Sequence, residues 1–211
     1  MKAALFDLDG VIFNTESQYS VFWGGECRRY HPEIPHLENI IKGQTLPQIL
    51  NGHFDDVKDE HQSIIKRLYE FEANMRYDYL PGLEAFLNEL NRHGVKTAIV
   101  TSSNKEKMEC VYSQHPECRK RFDAILTSED FAESKPSPDC YLKAAACFNI
   151  KPKDCVVFED SFNGLKSGRA SGAYVVGLAT TNSKEAIAPF ADVVIDNFIG
   201  LTLNELSEIQ F

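Results

Sequence analysis

Three short apolar runs in this chain stop abruptly at polar groups, and no other feature limits the fold so strongly. Residues 2–6 end at Asp7, residues 95–100 end at Thr101-Ser102-Ser103, and residues 155–158 end at Glu159-Asp160. Residues 173–177 and 192–195 are two more such runs, and residues 122–126 form a weaker one. The runs are nearly continuous in apolar and β-branched residues and do not alternate. That pattern suits strands covered on both faces, as in parallel sheets. Helix-like stretches lie between them. Leu83, Phe86, Leu87 and Leu90 recur at helical spacing before Gly94. Residues 137–148 open on a serine and a proline and carry Tyr141, Leu142, Ala145 and Phe148. Residues 161–171 form a third candidate. Strand and helix in alternation predict an α/β protein with a parallel sheet.

Residues 15–79 read differently. They contain no convincing strand, and Ile64, Ile65, Leu68, Tyr69 and Phe71 mark a long helix. The Gly24-Gly25 pair weakens its local helix. We expect a helical insert directly after the first strand, returning near Leu80-Pro81-Gly82. An insert there covers the edge where open α/β sheets bind ligands. At 211 residues and 23.8 kDa the chain suffices for one domain carrying an insert. Size scaling gives a folded surface of about 9,900 Å², which leaves roughly 70% of the chain's surface buried.

Lysine and arginine number 22 against 31 acidic residues, a net charge of −9. Such a chain is a poor partner for nucleic acid or an anionic membrane. No stretch approaches a membrane span, and the first residues meet Asp7 too early for a secretory signal. The six cysteines show no metal or redox spacing, so we expect reduced thiols and a cytoplasmic protein.

In a parallel sheet the strand carboxyl ends share one edge. Asp7, Asp9, Glu159 and Asp160 would then crowd together, with Thr101, Ser102 and Lys135 nearby. Four clustered carboxylates repel one another unless a cation sits among them. Oxygen ligands without histidine or cysteine suit a hard cation such as Mg²⁺. Lys135 and the hydroxyls suit an anionic substrate group. Singly, each feature has a plainer reading: a turn at Asp-Leu-Asp-Gly, a helix cap at Thr-Ser-Ser, a solvated lysine, a helix start at Glu-Asp. Their order, each at a strand end or in the following loop, points to a site.

Phe6-Asp7-Leu8-Asp9-Gly10-Val11, Val100-Thr101-Ser102, Lys135-Pro136-Ser137-Pro138 and Val157-Phe158-Glu159-Asp160-Ser161 resemble the four motifs of the haloacid dehalogenase-like hydrolase superfamily. The resemblance is strongest to its β-phosphoglucomutase-like phosphatase branch. It implies a Rossmann-like catalytic core at residues 1–14 and 80–211 and a small helical cap at 15–79. It implies Asp7 as the nucleophile that forms an aspartyl-phosphate, and Asp9 as general acid and then base. Mg²⁺ would be held by the side chains of Asp7, Glu159 and Asp160 and the backbone carbonyl of Asp9. Thr101 and Ser102 would bind phosphate oxygens, and Lys135 would offset charge on Asp7 and the transferring group. Asp9 with Glu159-Asp160 favours phosphoryl transfer over carbon–halogen cleavage, which needs neither metal nor a second acid.

The resemblance also implies that Lys42, Gly43 and Gln44 form a substrate-reading loop of the cap. Phe13, Asn14 and Glu16 follow the nucleophile strand and are candidates to line the pocket. The expected activity is Mg²⁺-dependent hydrolysis of a small phosphorylated metabolite, a sugar or polyol phosphate, by a monomer or weak dimer. A sugar-phosphate mutase shares the catalytic set, but its pattern places an arginine where this chain has Leu46. A non-catalytic phospho-ligand sensor is the alternative of another class, and the four intact motifs give it no support.

Overall fold

A computed structural model describes residues 1–210, with side chains through Leu206. Its strands are β1 (Ala3–Phe6), β2 (Lys96–Val100), β3 (Ala124–Leu126), β4 (Cys155–Glu159), β5 (Tyr174–Leu178) and β6 (Val193–Ile195). They form one sheet in the order β3-β2-β1-β4-β5-β6, and every pairing is parallel. Leu5 stands opposite Ala98 on one side and Val157 on the other. β1 and β4 are buried at every position, which is why their sequences are apolar without alternation. On one face Phe6 stacks on Phe158 at 4.6 Å and meets Phe86, Phe122 and Phe198. On the other, Leu5 and Val157 pack with Tyr141 and Ala144.

The helices are α1 (Glu16–Tyr30), α2 (Leu37–Ile40), α3 (Leu46–His53), α4 (His61–Asn74), α5 (Leu83–Arg92), α6 (Lys105–Gln114), α7 (Cys118–Arg121), α8 (Asp139–Cys147), α9 (Phe162–Ser171), α10 (Lys184–Ile187) and α11 (Leu203–Gln210). The alternating α/β architecture is the one the apolar runs predict. Two boundaries differ, and one weak point holds. β3 is shorter than the run at 122–126, because the Asp123 carboxylate turns back to Lys96 Nζ at 2.6 Å and the Thr97 amide at 2.9 Å. α8 begins only at Asp139, whose carboxylate accepts the Ala132 amide at 2.7 Å. α1 runs unbroken through Gly24-Gly25, and nothing in the structure explains Gly25.

Helices α1–α4 lie between β1 and α5 in the chain, and no strand falls among them. They gather a cluster of their own, with Trp23, Ile41, Leu50, Phe54, Ile64 and Leu68 at its centre. Arg67 clamps Glu26 through two hydrogen bonds of 2.8 and 2.7 Å, joining α4 to α1. The outgoing and returning chains run side by side, with the Asn14 amide bonded to Asp78 O and the Leu80 amide to Ile12 O, both at 2.9 Å. The accessible surface is 9912 Å², what size scaling predicts for a single body of this mass. All six cysteines are free thiols. No described helix is long and apolar enough to cross a membrane.

Candidate active site

Because every strand is parallel, the residues that follow β1, β2, β4 and β5 meet at one edge. Those after β1, β2 and β4 line a cavity of about 1050 Å³ that also reaches α1, α3 and α4. Asp7 continues the β1 ladder, its amide bonded to Phe158 O at 3.0 Å. The Lys135 ammonium lies 2.6 Å from Asp7 Oδ1, 2.6 Å from Glu159 Oε1 and 3.1 Å from Val100 O. All three of its hydrogens are thus engaged by protein oxygens, and its side chain is 1% exposed. Burial works against its charge, but Asp7 and Glu159 outweigh it and hold the lysine above its ordinary pKa. Asp7 Oδ2 accepts no hydrogen bond from another described residue.

Glu159 is wholly buried. Oε1 takes Lys135 and the Tyr141 hydroxyl at 2.6 Å, and Oε2 takes the Asp160 and Ser161 amides at 3.2 and 3.4 Å. Asp160 receives the Thr181 hydroxyl, and its backbone oxygen takes Asn182 Nδ2 at 3.1 Å. One carboxylate oxygen from each of Asp7, Glu159 and Asp160 lies within 4.8 Å of the other two. Burial, and to a lesser degree Glu159 and Asp9, push Asp7 up to about 7 despite Lys135. Burial, then Glu16, Glu159 and Asp7, push Asp160 well above its ordinary value. These three acids fit a hard cation: all donors are oxygen, and one lysine leaves their charge in excess.

Asp9 lies two residues beyond Asp7 and faces the same cavity. Thr15 Oγ1 donates to its Oδ1 at 2.6 Å, and Ser103 Oγ to its Oδ2 at 3.3 Å. Lys107 is ion-paired with the same Oδ2. Gly10 turns the chain at φ +72, and a Cβ there would stand 2.1 Å from Asp160 Oδ2. Only glycine fits this turn against the acid.

Thr101 and Ser102 line the cavity at the end of β2. They do not cap α6: that is done by Asn104, which accepts the Lys107 amide at 3.0 Å. The Ser102 hydroxyl donates to Gly43 O at 3.1 Å. Three further contacts dock the same loop: Asn163 Nδ2 on Lys42 O at 3.2 Å, Thr45 Oγ1 with Ser134 Oγ at 3.3 Å, and Gln48 Nε2 on Lys135 O at 3.4 Å. Gly43, at φ +75, leaves no room for a side chain, since its Cβ would meet Ser161 Oγ at 2.5 Å.

Lys42, Gly43 and Gln44 line the cavity with Asp9. Lys42 Nζ stands 3.5 Å from Glu16 Oε2, and Gln44 is engaged by Ile40 O and His53. Burial and then Asp9 raise Glu16 to about 7. Of the residues after the nucleophile strand, Glu16 lines the cavity. Phe13 does not: it is core, stacked on Tyr79 at 4.8 Å. Asn14 lies outside as well, at the surface.

Five contributors to this edge escape motif reading: Lys107, Ser103, Tyr141, Thr180 and Thr181. Tyr141 reads as a core residue of α8, and its hydroxyl contact with Glu159 spans 18 positions. Thr180 donates to Gly10 O at 2.6 Å across 170 positions. The sequence does hold a signal for the last two. Thr180-Thr181-Asn182 is one more polar stop after an apolar run.

A family model described as haloacid dehalogenase-like hydrolase matches residues 1–172. The chain is 30% identical over 213 residues to hexitol phosphatase A of Escherichia coli, covering 99% of this chain and 93% of that one. It is 28% identical to the bifunctional riboflavin kinase/FMN phosphatase of Arabidopsis thaliana, where 97% of this chain spans only 55% of the relative. Among solved structures, a HAD hydrolase, family IA, variant 3, from Entamoeba histolytica superposes with a TM-score of 0.84 at 21% identity, covering 100% of this chain and 99% of that one. The motifs, the strand order and the family match agree: this chain is an enzyme of the haloacid dehalogenase-like hydrolase family.

Proposed function

We propose that this enzyme is a phosphatase that hydrolyses a small phosphomonoester, a sugar or polyol phosphate, through an aspartyl-phosphate on Asp7. The observation that carries this reading is the pair Asp7 and Asp9 on one cavity wall, with Asp7 held by Lys135 beside Glu159 and Asp160. Asp7 attacks phosphorus. Its bond to phosphorus forms as the ester oxygen departs, and Asp9 gives that oxygen a proton. Asp9 then takes a proton from water, whose oxygen bonds to phosphorus as the Asp7–phosphorus bond breaks. Thr101 and Ser102 orient the phosphate, and Lys135 keeps Asp7 in place and offsets its charge.

Asp7, Glu159, Asp160 and the Asp9 carbonyl would hold Mg²⁺, which when bound offsets the charge of nucleophile and phosphate. In this reading residues 1–14 and 80–211 are the catalytic core. Residues 15–79 are a cap that excludes water and reads the leaving group through the loop at Lys42–Gly43–Gln44.

The charges in the cavity favour hydrolysis over a mutase. Beyond the strand-end acids it is lined by Glu16, Glu38, Glu72 and Glu129, and among the described residues by only two cations, Lys42 and Lys107. Lys42 faces Glu16 and Lys107 is paired with Asp9. No described arginine lines it, and the position of the mutase arginine is Leu46. A second phosphate would find no free cation here, so the leaving group carries none. The test is a phosphate-release screen with Mg²⁺ over neutral sugar and polyol monophosphates, matched bisphosphates and p-nitrophenyl phosphate. Release from the monophosphates that EDTA abolishes is the expected result. Bisphosphates as the best substrates, or full activity in EDTA, would refute it.

A further inference from the structure

Lys107 departs from two rules that lysines ordinarily keep. It sits in the first turn of α6, where the helix dipole favours carboxylates over cations. Its side chain is 2% exposed, although lysine is almost never fully buried unless paired. Its compensation is specific. The ammonium is ion-paired with Asp9 Oδ2 and stands 4.5 Å over the ring of Tyr19. Tyr19 belongs to α1 of the helical segment, and its hydroxyl donates to Glu72 Oε1 on α4 at 2.7 Å. Locally unfavourable choices of this kind gather at functional sites.

The Asp9 carboxylate is consequently held from three directions. Thr15, just before α1, takes Oδ1, while Ser103 and Lys107, both beyond β2, take Oδ2. The two hydroxyls are uncharged donors. Of the three contacts Lys107 alone brings a positive charge, so it binds the carboxylate as an ion pair as well as a hydrogen bond. A carboxylate that must donate to a leaving oxygen and then accept from water needs one fixed direction, since an error of about 1 Å in placement costs about a hundredfold in rate.

We propose that Lys107 is the positioning residue for Asp9, and that the Tyr19 ring, by walling the ammonium, ties the orientation of the acid to the docking of the helical segment. This rests on the reading of Asp9 as general acid and base. Lys107 also lines the cavity, so direct contact with the substrate phosphate is the competing role.

The test compares wild-type, Lys107→Met and Tyr19→Leu proteins on p-nitrophenyl phosphate and phenyl phosphate with Mg²⁺. The quantity read is kcat/KM, which reports the step that forms the aspartyl-phosphate. Phenoxide is the poorer leaving group and depends more on the acid. In Lys107→Met the phenyl ester should lose about tenfold more than the nitrophenyl ester. Inhibition by inorganic phosphate should stay within about twofold of wild type. Tyr19→Leu should shift the same ratio the same way by about threefold, and it decides the matter if Lys107→Met does not fold. Equal losses on both esters, or an unchanged ratio in Tyr19→Leu, would overturn the proposal. Phosphate inhibition weakened about tenfold or more in Lys107→Met would make the lysine a phosphate ligand instead. A wild-type protein inactive on both esters would overturn the phosphatase reading, and the role of Lys107 with it.

Discussion

The Lys135 ammonium stands 2.6 Å from Asp7 Oδ1, so the proposed nucleophile has one oxygen fixed by a buried cation. Lys135→Met removes that cation and leaves Asp7 and Glu159 facing each other. We expect phosphate release to fall by roughly a hundredfold or more, with a loss of stability of about 3 kcal/mol from the unpaired buried acids. Asp7→Asn should abolish release while the protein still folds. Steady-state assays and thermal unfolding read both, and retention of more than a few per cent of the rate in Asp7→Asn excludes the covalent route.

The acids at the sheet edge make the metal-free protein sensitive to pH in one direction. Asp7 is raised from 3.8 to about 7 and Glu16 from 4.5 to about 7, each chiefly by burial. A carboxyl with a raised pKa in the fold binds its proton more tightly there than in the unfolded chain. Its contribution to stability is complete below the unfolded value and is lost as pH rises through about 7. In EDTA the melting temperature should therefore fall between pH 5 and about 7.5. Mg²⁺ should stabilise the protein more at the upper end of that window. A metal-free melting temperature that stays flat or rises across it would contradict the crowded-acid site.

Gly10→Ala should damage metal binding more than folding. The added Cβ meets Asp160 Oδ2 at 2.1 Å, and the φ of +72 adds strain for any side chain. A loss of about 1–3 kcal/mol is expected from the strained backbone. The stabilisation that Mg²⁺ confers should largely disappear, as thermal shift with and without the metal would record. Unaltered Mg²⁺ stabilisation would place the cation elsewhere.

Lys42→Ala tests the loop that docks on the strand ends. Lys42 and Glu16 share the cavity with Asp9 but lie outside the Asp7, Glu159 and Asp160 group. KM for the preferred small phosphate should rise by about tenfold, while turnover of p-nitrophenyl phosphate stays within a few-fold. An unchanged KM would make Lys42 only a partner for Glu16. Equal rate losses on both substrates would mean that the loop serves docking in general.

The strands were legible because burial on both faces writes an uninterrupted apolar run, as in Leu5, Val157 and their neighbours. The carboxyl-edge residues Asp7, Thr101 and Glu159 were legible because each interrupts such a run. Lys107 was not. Nothing near it in the chain distinguishes it from Lys105 two positions earlier, and its partner Asp9 lies 98 positions away. Tyr141 shares that limitation, since its partner Glu159 lies 18 positions away, whereas Ser103 and Thr181 stand in polar stops after apolar runs and only their partners across the fold were hidden. Ser102 shows a different limit. Its residue type suits a phosphate contact, but the partner its hydroxyl takes in this structure, Gly43 O, belongs to another part of the chain and left no local signal.

The docking of the loop at positions 42 and 43 has an evolutionary consequence. At both positions the core supplies the side chain, Asn163 or Ser102, and the loop supplies only a backbone carbonyl. A carbonyl is indifferent to the side chain its residue bears. Position 42 is thus free to change with the hydrogen bond that seats it retained, whereas Gly43 is not, because Ser161 occupies the space a Cβ would need. If the loop reads the leaving group as proposed, a change at one residue would retune the substrate while its neighbour keeps the joint intact, and new specificities would arise here without first loosening the assembly.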